Sequence, residues 1–288
     1  MLKDGRIVSV WRTARALLFQ AGIDPATQPQ DITPPGLAGG PAIAVDSGSG
    51  AAVVAYQNAG DGTDSFRPVL PGLGSATAMP GAKVQGPSIA ARDGGGVYSA
   101  YAPDGARVVL LRFGGQPRAV PVPKGVRVLT AGIAAGPDGT LWVYYGNEQH
   151  TYVTRTSKSV SGFEPVQTLT SPPKTAVYFH LEGEGSAGPL DLFADVTVDG
   201  GPKDGSYQTH VFPALSLRVA KSGNRLTVHV VDAGDLVAGA RVSGLPGGAK
   251  TTEPLASVVV TVPAGKKGTV ALTATKAGYV PAKGTALL

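Results

Sequence analysis

Cysteine is absent from the 288 residues, which excludes disulfides, thiolate metal sites and cysteine nucleophiles but leaves the compartment open. Long hydrophobic runs are missing too, and nothing approaches the roughly 18 apolar residues that a spanning helix requires. After Met1 the segment "LKDGRIVSVWR" carries charges where a secretory leader would place its apolar region, so no signal peptide is expected in it. Charged residues make up only 16%, and the net charge of +5 is dispersed, with no basic block longer than Lys266-Lys267. A nucleic-acid footprint is therefore not expected. Helical periodicity is almost wanting: only "WRTARALLFQ" at 11–20 shows it free of Gly and Pro, and this piece is read as two strands joined by a turn. What the chain does have is 41 Gly, 24 Pro and 42% hydrophobic residues. That is the composition of many short strands, punctuated by turns, around a buried core.

The strands repeat. Trp11, Tyr56, Tyr101 and Tyr145 follow one another at intervals of 45, 45 and 44 residues. Before the last three stand "GPAIAVDSGSGAAVVAY", "GPSIAARDGGGVYSAY" and "GIAAGPDGTLWVYY". Each has a Gly, a short apolar strand, an Asp-Gly-type turn and a second strand closed by an aromatic, which is a hairpin signature. A further alternating strand and a short apolar segment follow each hairpin, as in "ARVVLLRF" and then "AVPVP". Four short strands per ~45 residues is propeller-blade spacing. A fifth, degenerate unit with three strand candidates runs through 175–215. The expectation is a chain that enters one blade at its second strand, completes three blades and adds a partial one. It is then either the C-terminal part of a longer propeller or an unusually small ring.

The units "GPSIAARDGGGVYSAY", "GPDGTLWVYYG" and "SVSGFEPVQTL" resemble the blades of bacterial sialidase-like β-propellers. Of that family's Ser-x-Asp-x-Gly-x-x-Trp turn, "GPDGTLW" keeps Asp138, Gly139 and Trp142, and "VDSGSG" keeps Asp46 and Gly48.

After "HVFPAL" the text changes. Period-2 alternation in "RLTVHVVD", "ASVVVTVP" and "GTVALTATK" predicts roughly seven strands in about 73 residues, the pattern of an Ig-like sandwich. "VVDAGDLVAGARV" and "KAGYVPA" resemble bacterial Ig-like and carboxypeptidase-regulatory-like modules. That resemblance places Gly239 and Ala240 at a tight strand entry and Tyr279 near the end of the core. The fold class is thus all-β: an incomplete or small β-propeller of about four to five blade units over 1–213, followed by an Ig-like β-sandwich over 214–288.

The sialidase resemblance would require an arginine cluster, a Tyr–Glu pair and an acidic Asp at the ring centre. Arg12, Arg92, Arg107, Arg112 and Arg155 lie near strands, but Glu occurs only five times and never beside a Tyr in a recognisable pattern. The phased aromatics read as packing between sheets, so no catalytic residue is assigned. The densest polar group is "YFHLEGEG": His180 and Glu182 share a strand face, with Glu184 beyond and Asp191 across the next turn. These four are the candidate ligand-binding residues, weighed against a solvated strand end. His150, His210 and His229 stand isolated, and "DGGG" at 93–96 opens no helix, so no metal, phosphate or other cofactor site is expected. The reading is a non-enzymatic exported or cell-surface protein with no membrane span, binding a glycan or a surface protein and carrying an Ig-like spacer. The alternative is a sialidase-like glycoside hydrolase completed by blades outside this chain.

Overall fold

The computed structural model describes residues 1–33, 39–58, 60–82, 87–147, 150–170, 176–198, 204–253 and 255–288, with the backbone alone at 170, 176–180, 196–198 and 204. The fold is all-β, and among the described residues one short 3-10 turn, Pro137–Gly139, interrupts the strands. Among the described residues no helix is long and apolar enough to cross a membrane. Two compact units are present: residues 1–153 with 168–210, and 154–167 with 211–288.

Antiparallel sheets whose strands lie in chain order follow one another along residues 8–211, three of four strands and two of three, giving an incomplete or small β-propeller. The first sheet holds Val8–Arg12, Leu17–Ala21 and Gln30–Asp31, and the pairing of Trp11 with Leu18 makes "WRTARALLFQ" the expected hairpin. The second holds Gly39–Val45, Ala52–Gln57, Asp64–Leu70 and Thr77–Ala78. Ser88–Ala91, Val97–Tyr101, Val108–Arg112 and Pro117–Val120 form the third. The fourth has Thr130–Ala135, Leu141–Gly146, His150–Arg155 and Gln167–Thr170, and the fifth Ala176–Glu184, Leu190–Val198 and Asp204–Val211.

The sequence repeat is a register repeat. Ala42 pairs with Ala55, Ser88 with Ala100 and Gly132 with Tyr144, so the first two strands of the second, third and fourth sheets superpose residue for residue. Strand alternation then sends successive side chains to opposite neighbours. Val54 and Tyr56 pack with Leu17 and Phe19 of the first sheet, while Val53 and Ala55 pack with Val97 and Tyr101 of the third. Both faces are covered, which is why the second strands are buried throughout instead of alternating with solvent. The hairpin turns are clipped across sheets as well: the Lys3 ammonium donates to the Gly48 carbonyl at 2.9 Å, and Arg92 Nε to that of Gly139 at 2.8 Å. Trp11 differs from the phased tyrosines. It is half-buried whereas Tyr56, Tyr101 and Tyr145 are at most 1% exposed, because each tyrosine presses on the sheet before its own and no described sheet precedes that of Trp11.

The second unit is a β-sandwich. Ser216–Ser222, Arg225–Asp232, Asp235–Leu236 and Ser257–Thr261 form one sheet; Lys250–Thr251, Arg241–Ser243, Thr269–Thr275 and Ala282–Leu287 form the other. Alternate residues Leu226, Val228 and Val230 meet Val242, Leu272 and Ala274 in one core, with Tyr279 packed at its margin. Gly239 is left-handed, φ +72°, at the entry to Arg241–Ser243, and Ala240 beside it is fully buried.

Candidate binding cavity

The position where the fourth sheet departs from its repeat is Tyr144. The equivalent residues are Ala55 and Ala100, and a phenol there needs room that an alanine does not. Two glycines supply it. Gly132, directly opposite on the first strand, has no Cβ where one would overlap the Tyr144 ring. Gly183, on the first strand of the fifth sheet, covers the ring from its other side, since a Cβ there would lie 2.6 Å from Tyr144 Cε1. Gly185 leaves similar space for the indole of Trp142, which lies on the same face as Tyr144. The glycines of "HLEGEG" are therefore sockets for aromatic rings of the preceding sheet.

Tyr144 in this socket lines a cavity of about 390 Å³. Its walls come from the first strands of four successive sheets, with Pro41, Pro87, Ile89, Ile133 and Leu181 among them. Ser88, Tyr144 and Glu182 bring side-chain oxygens. Ser88 bridges two first strands: its hydroxyl accepts from the Ile133 N–H at 3.0 Å, and Ser99 Oγ donates to its carbonyl at 2.9 Å. The Tyr144 hydroxyl is held by the Ser88 side chain and the Gly183 backbone. Burial pushes the phenol up to about 12; those two hydrogen bonds pull it down, and the Glu182 charge adds a smaller upward push. At neutral pH the phenol is a neutral donor, and among the described residues Glu182 is the acidic side chain that lines the cavity.

The four candidate residues separate in the structure. Glu182 lines the cavity. Glu184 stands opposite Asp191 at the far end of the hairpin, where its carboxylate accepts from the Ser186 N–H at 2.7 Å. Asp191 contacts the His210 imidazole nitrogen Nδ1 and accepts weakly from Gln208 at 3.4 Å. His210, isolated in sequence, is thus brought to Asp191 by the third strand of its sheet. The backbone of His180 pairs with Asp195 after a bulge, and its side chain lies outside the described residues. Among the described residues no arginine lines the cavity: Arg92 clips two turns, Arg107 pairs with Asp104 at the surface, and Arg155 pairs with Asp232 within the second unit. Recurrence drew attention to Tyr145, whereas the cavity is built by its neighbour, Tyr144. The signal was an alanine position, 55 and 100, that becomes tyrosine together with a glycine across from it.

No family model matches the chain, and no curated protein does. Among solved structures, the extracellular domain assigned to a hybrid two-component system, BT3049, of B. thetaiotaomicron is similar over 98% of this chain with 12% identity and a TM-score of 0.38. The chain spans 44% of that protein's length. Hydrazine synthase of Kuenenia stuttgartiensis is similar over 93% of this chain and 69% of its own, with 16% identity and a TM-score of 0.34.

Proposed function

We propose that this chain is a non-enzymatic binding protein of the cell surface or exterior, in which the blades over 1–213 hold a ligand and the Ig-like sandwich over 214–288 acts as a spacer. One observation carries the reading: a cavity of about 390 Å³ lined by the first strands of four consecutive sheets. That volume lies in the range of small-ligand sites, roughly 300–1,000 Å³. Its mostly apolar wall with a few side-chain oxygens is the composition such sites use. The extracellular placement rests on the resemblance to sialidase-like blades. A glycan or an exposed segment of a surface protein fits this reading.

The hydrolase alternative draws on Tyr144 and Glu182 meeting in one cavity. A nucleophilic phenol must be easily deprotonated, however, and here it is held up at about 12. Among the described residues no arginine lines the cavity to hold an anionic sugar. Binding is therefore preferred. NMR titration of the full chain with a panel of methyl glycosides and short peptides tests it: shifts confined to residues around Ser88, Tyr144 and Glu182 are expected. Turnover of a sialoside reporter that Tyr144→Phe abolishes would overturn it.

A further inference from the structure

We propose that the sandwich joins two copies of this chain: the edge strand Ser257–Thr261 pairs antiparallel with the same strand of a second copy, about a two-fold axis at Val259. Among the described residues this strand has one neighbour, Arg225–Asp232. Two hydrogen bonds bracket that pairing, from Val262 N–H to the Asn224 carbonyl at 2.6 Å and from Val230 N–H to the Ala256 carbonyl at 3.3 Å. Antiparallel ladders alternate, so Val258 and Val260 direct their backbone groups to the neighbour, and Ser257, Val259 and Thr261 direct theirs to the open side. There the Ser257 carbonyl accepts from the Glu253 N–H at 3.4 Å, a long contact on an oxygen with a second lone pair to offer. Exposed strand edges are normally guarded by charge, proline or brevity. The other edge strands of the sandwich are guarded: Ser216–Ser222 carries Arg218 and Lys221, Ala282–Leu287 carries Lys283, and Lys250–Thr251 and Asp235–Leu236 have two residues each. Ser257–Thr261 reads SVVVT and has no such guard, and Val259 is 37% exposed. Charge selects the occupant. Glu253 is exposed before the strand, and Lys266 and Lys267 are exposed after it. Two-fold antiparallel pairing sets the acidic end of each copy beside the basic end of the other, whereas parallel pairing would set like ends together. The same axis faces Val259 with Val259 and Ser257 with Thr261, so the outward backbone groups of the two copies meet donor to acceptor.

The test is sedimentation velocity of the full chain from micromolar to millimolar concentration, with amide hydrogen exchange followed by NMR. A reversible dimer is expected, in which the Val259 and Thr261 amides gain protection as concentration rises. Val259→Lys places two ammonium groups across the axis and should weaken the dimer at least about tenfold, since like charges set opposite each other disfavour strand pairing. The melting temperature of the dilute, monomeric protein should not change, because that side chain is exposed. Glu253→Lys alone, and Lys266→Glu with Lys267→Glu, should each weaken the dimer, and the three changes together should restore it. A chain that stays monomeric throughout, or a dimer that survives Val259→Lys, overturns the proposal. So does a combined charge variant that associates no more tightly than its parts, because the unlike ends would then not lie side by side. Dimerisation without added protection at Val259 and Thr261 places the interface elsewhere and overturns it too.

Discussion

The Tyr145 hydroxyl donates to the Pro121 carbonyl at 2.6 Å, tying the second strand of the fourth sheet to the end of the sheet before it. Tyr101 repeats the contact one sheet earlier, donating to Pro80 at 3.0 Å. Tyr101 and Tyr145 are therefore both filler and staple, with the ring buried between sheets and the hydroxyl on a loop carbonyl next door, whereas among the described residues Tyr56 is buried without such a contact.

These roles separate by substitution. Tyr101→Phe keeps the ring and loses the hydrogen bond, for an expected cost of about 1 kcal/mol. Tyr101→Ala also opens a cavity and should cost about 3 kcal/mol or more. Chemical denaturation of both variants checks the order. Similar losses for the two would mean that the staple, and not the packing, dominates.

The Tyr144 socket predicts non-additivity. Gly132→Ala places a methyl group in the ring and should destabilise by about 1–3 kcal/mol. In Tyr144→Ala the ring is gone, so adding Gly132→Ala should cost little further. A double-mutant cycle should return a coupling of about 1 kcal/mol or more. Additive losses would mean that the glycine does not hold the ring.

Much of this architecture is readable in the sequence because it repeats. The 45-residue step fixes the hairpins, the strand order and the shared position of Tyr56, Tyr101 and Tyr145, and period-2 alternation fixes the sandwich strands. The cavity is less readable for the same reason. Attention to what recurs passes over Tyr144, which breaks the repeat, and over Gly132 and Gly183, whose purpose depends on a ring from another strand. The His210–Asp191 pair and the burial of Glu164 likewise depend on which strands meet, which local pattern does not encode.

Glu164 makes stability depend on pH. Its carboxylate accepts from the Ala214 N–H at 2.8 Å and from Gln167 at 3.2 Å, both within the sandwich unit. Burial pushes the acid up to about 8, the Ala214 hydrogen bond and the Arg155 charge pull it down, and the Asp232 charge pushes it up again. An acid raised in the folded state binds a proton that the unfolded chain releases. Its contribution is then fully present below the ordinary value of 4.5, declines as pH rises towards about 8 and stays lost above that. One such proton gives a slope of at most about 1.4 kcal/mol per pH unit. Burial also raises Asp232, which adds loss of the same sign. Melting of the sandwich unit should fall from pH 5 to pH 8, and Glu164→Gln should flatten most of that fall. An unchanged profile in Glu164→Gln would assign the dependence elsewhere.

The last prediction sets two small residues of the sandwich unit against each other. Ala233 occupies the turn between Arg225–Asp232 and Asp235–Leu236 with φ +50°, a left-handed conformation in which a Cβ is disfavoured. Gly162 packs against this turn so closely that a Cβ on it would overlap the Ala233 carbonyl. The two positions should respond in opposite directions. Ala233→Gly relieves the left-handed strain and sheds one buried methyl, which leaves it near neutral or stabilising by up to about 1 kcal/mol. Gly162→Ala drives a methyl group into a backbone oxygen that no side-chain rotation can move aside, and a cost of about 2 kcal/mol or more is expected. Calorimetric melting of the two variants compares them directly. Both substitutions must lie in the same transition as Glu164→Gln, because all three residues belong to one compact unit. A Gly162→Ala protein as stable as the parent would show that the 154–167 segment does not press on the turn.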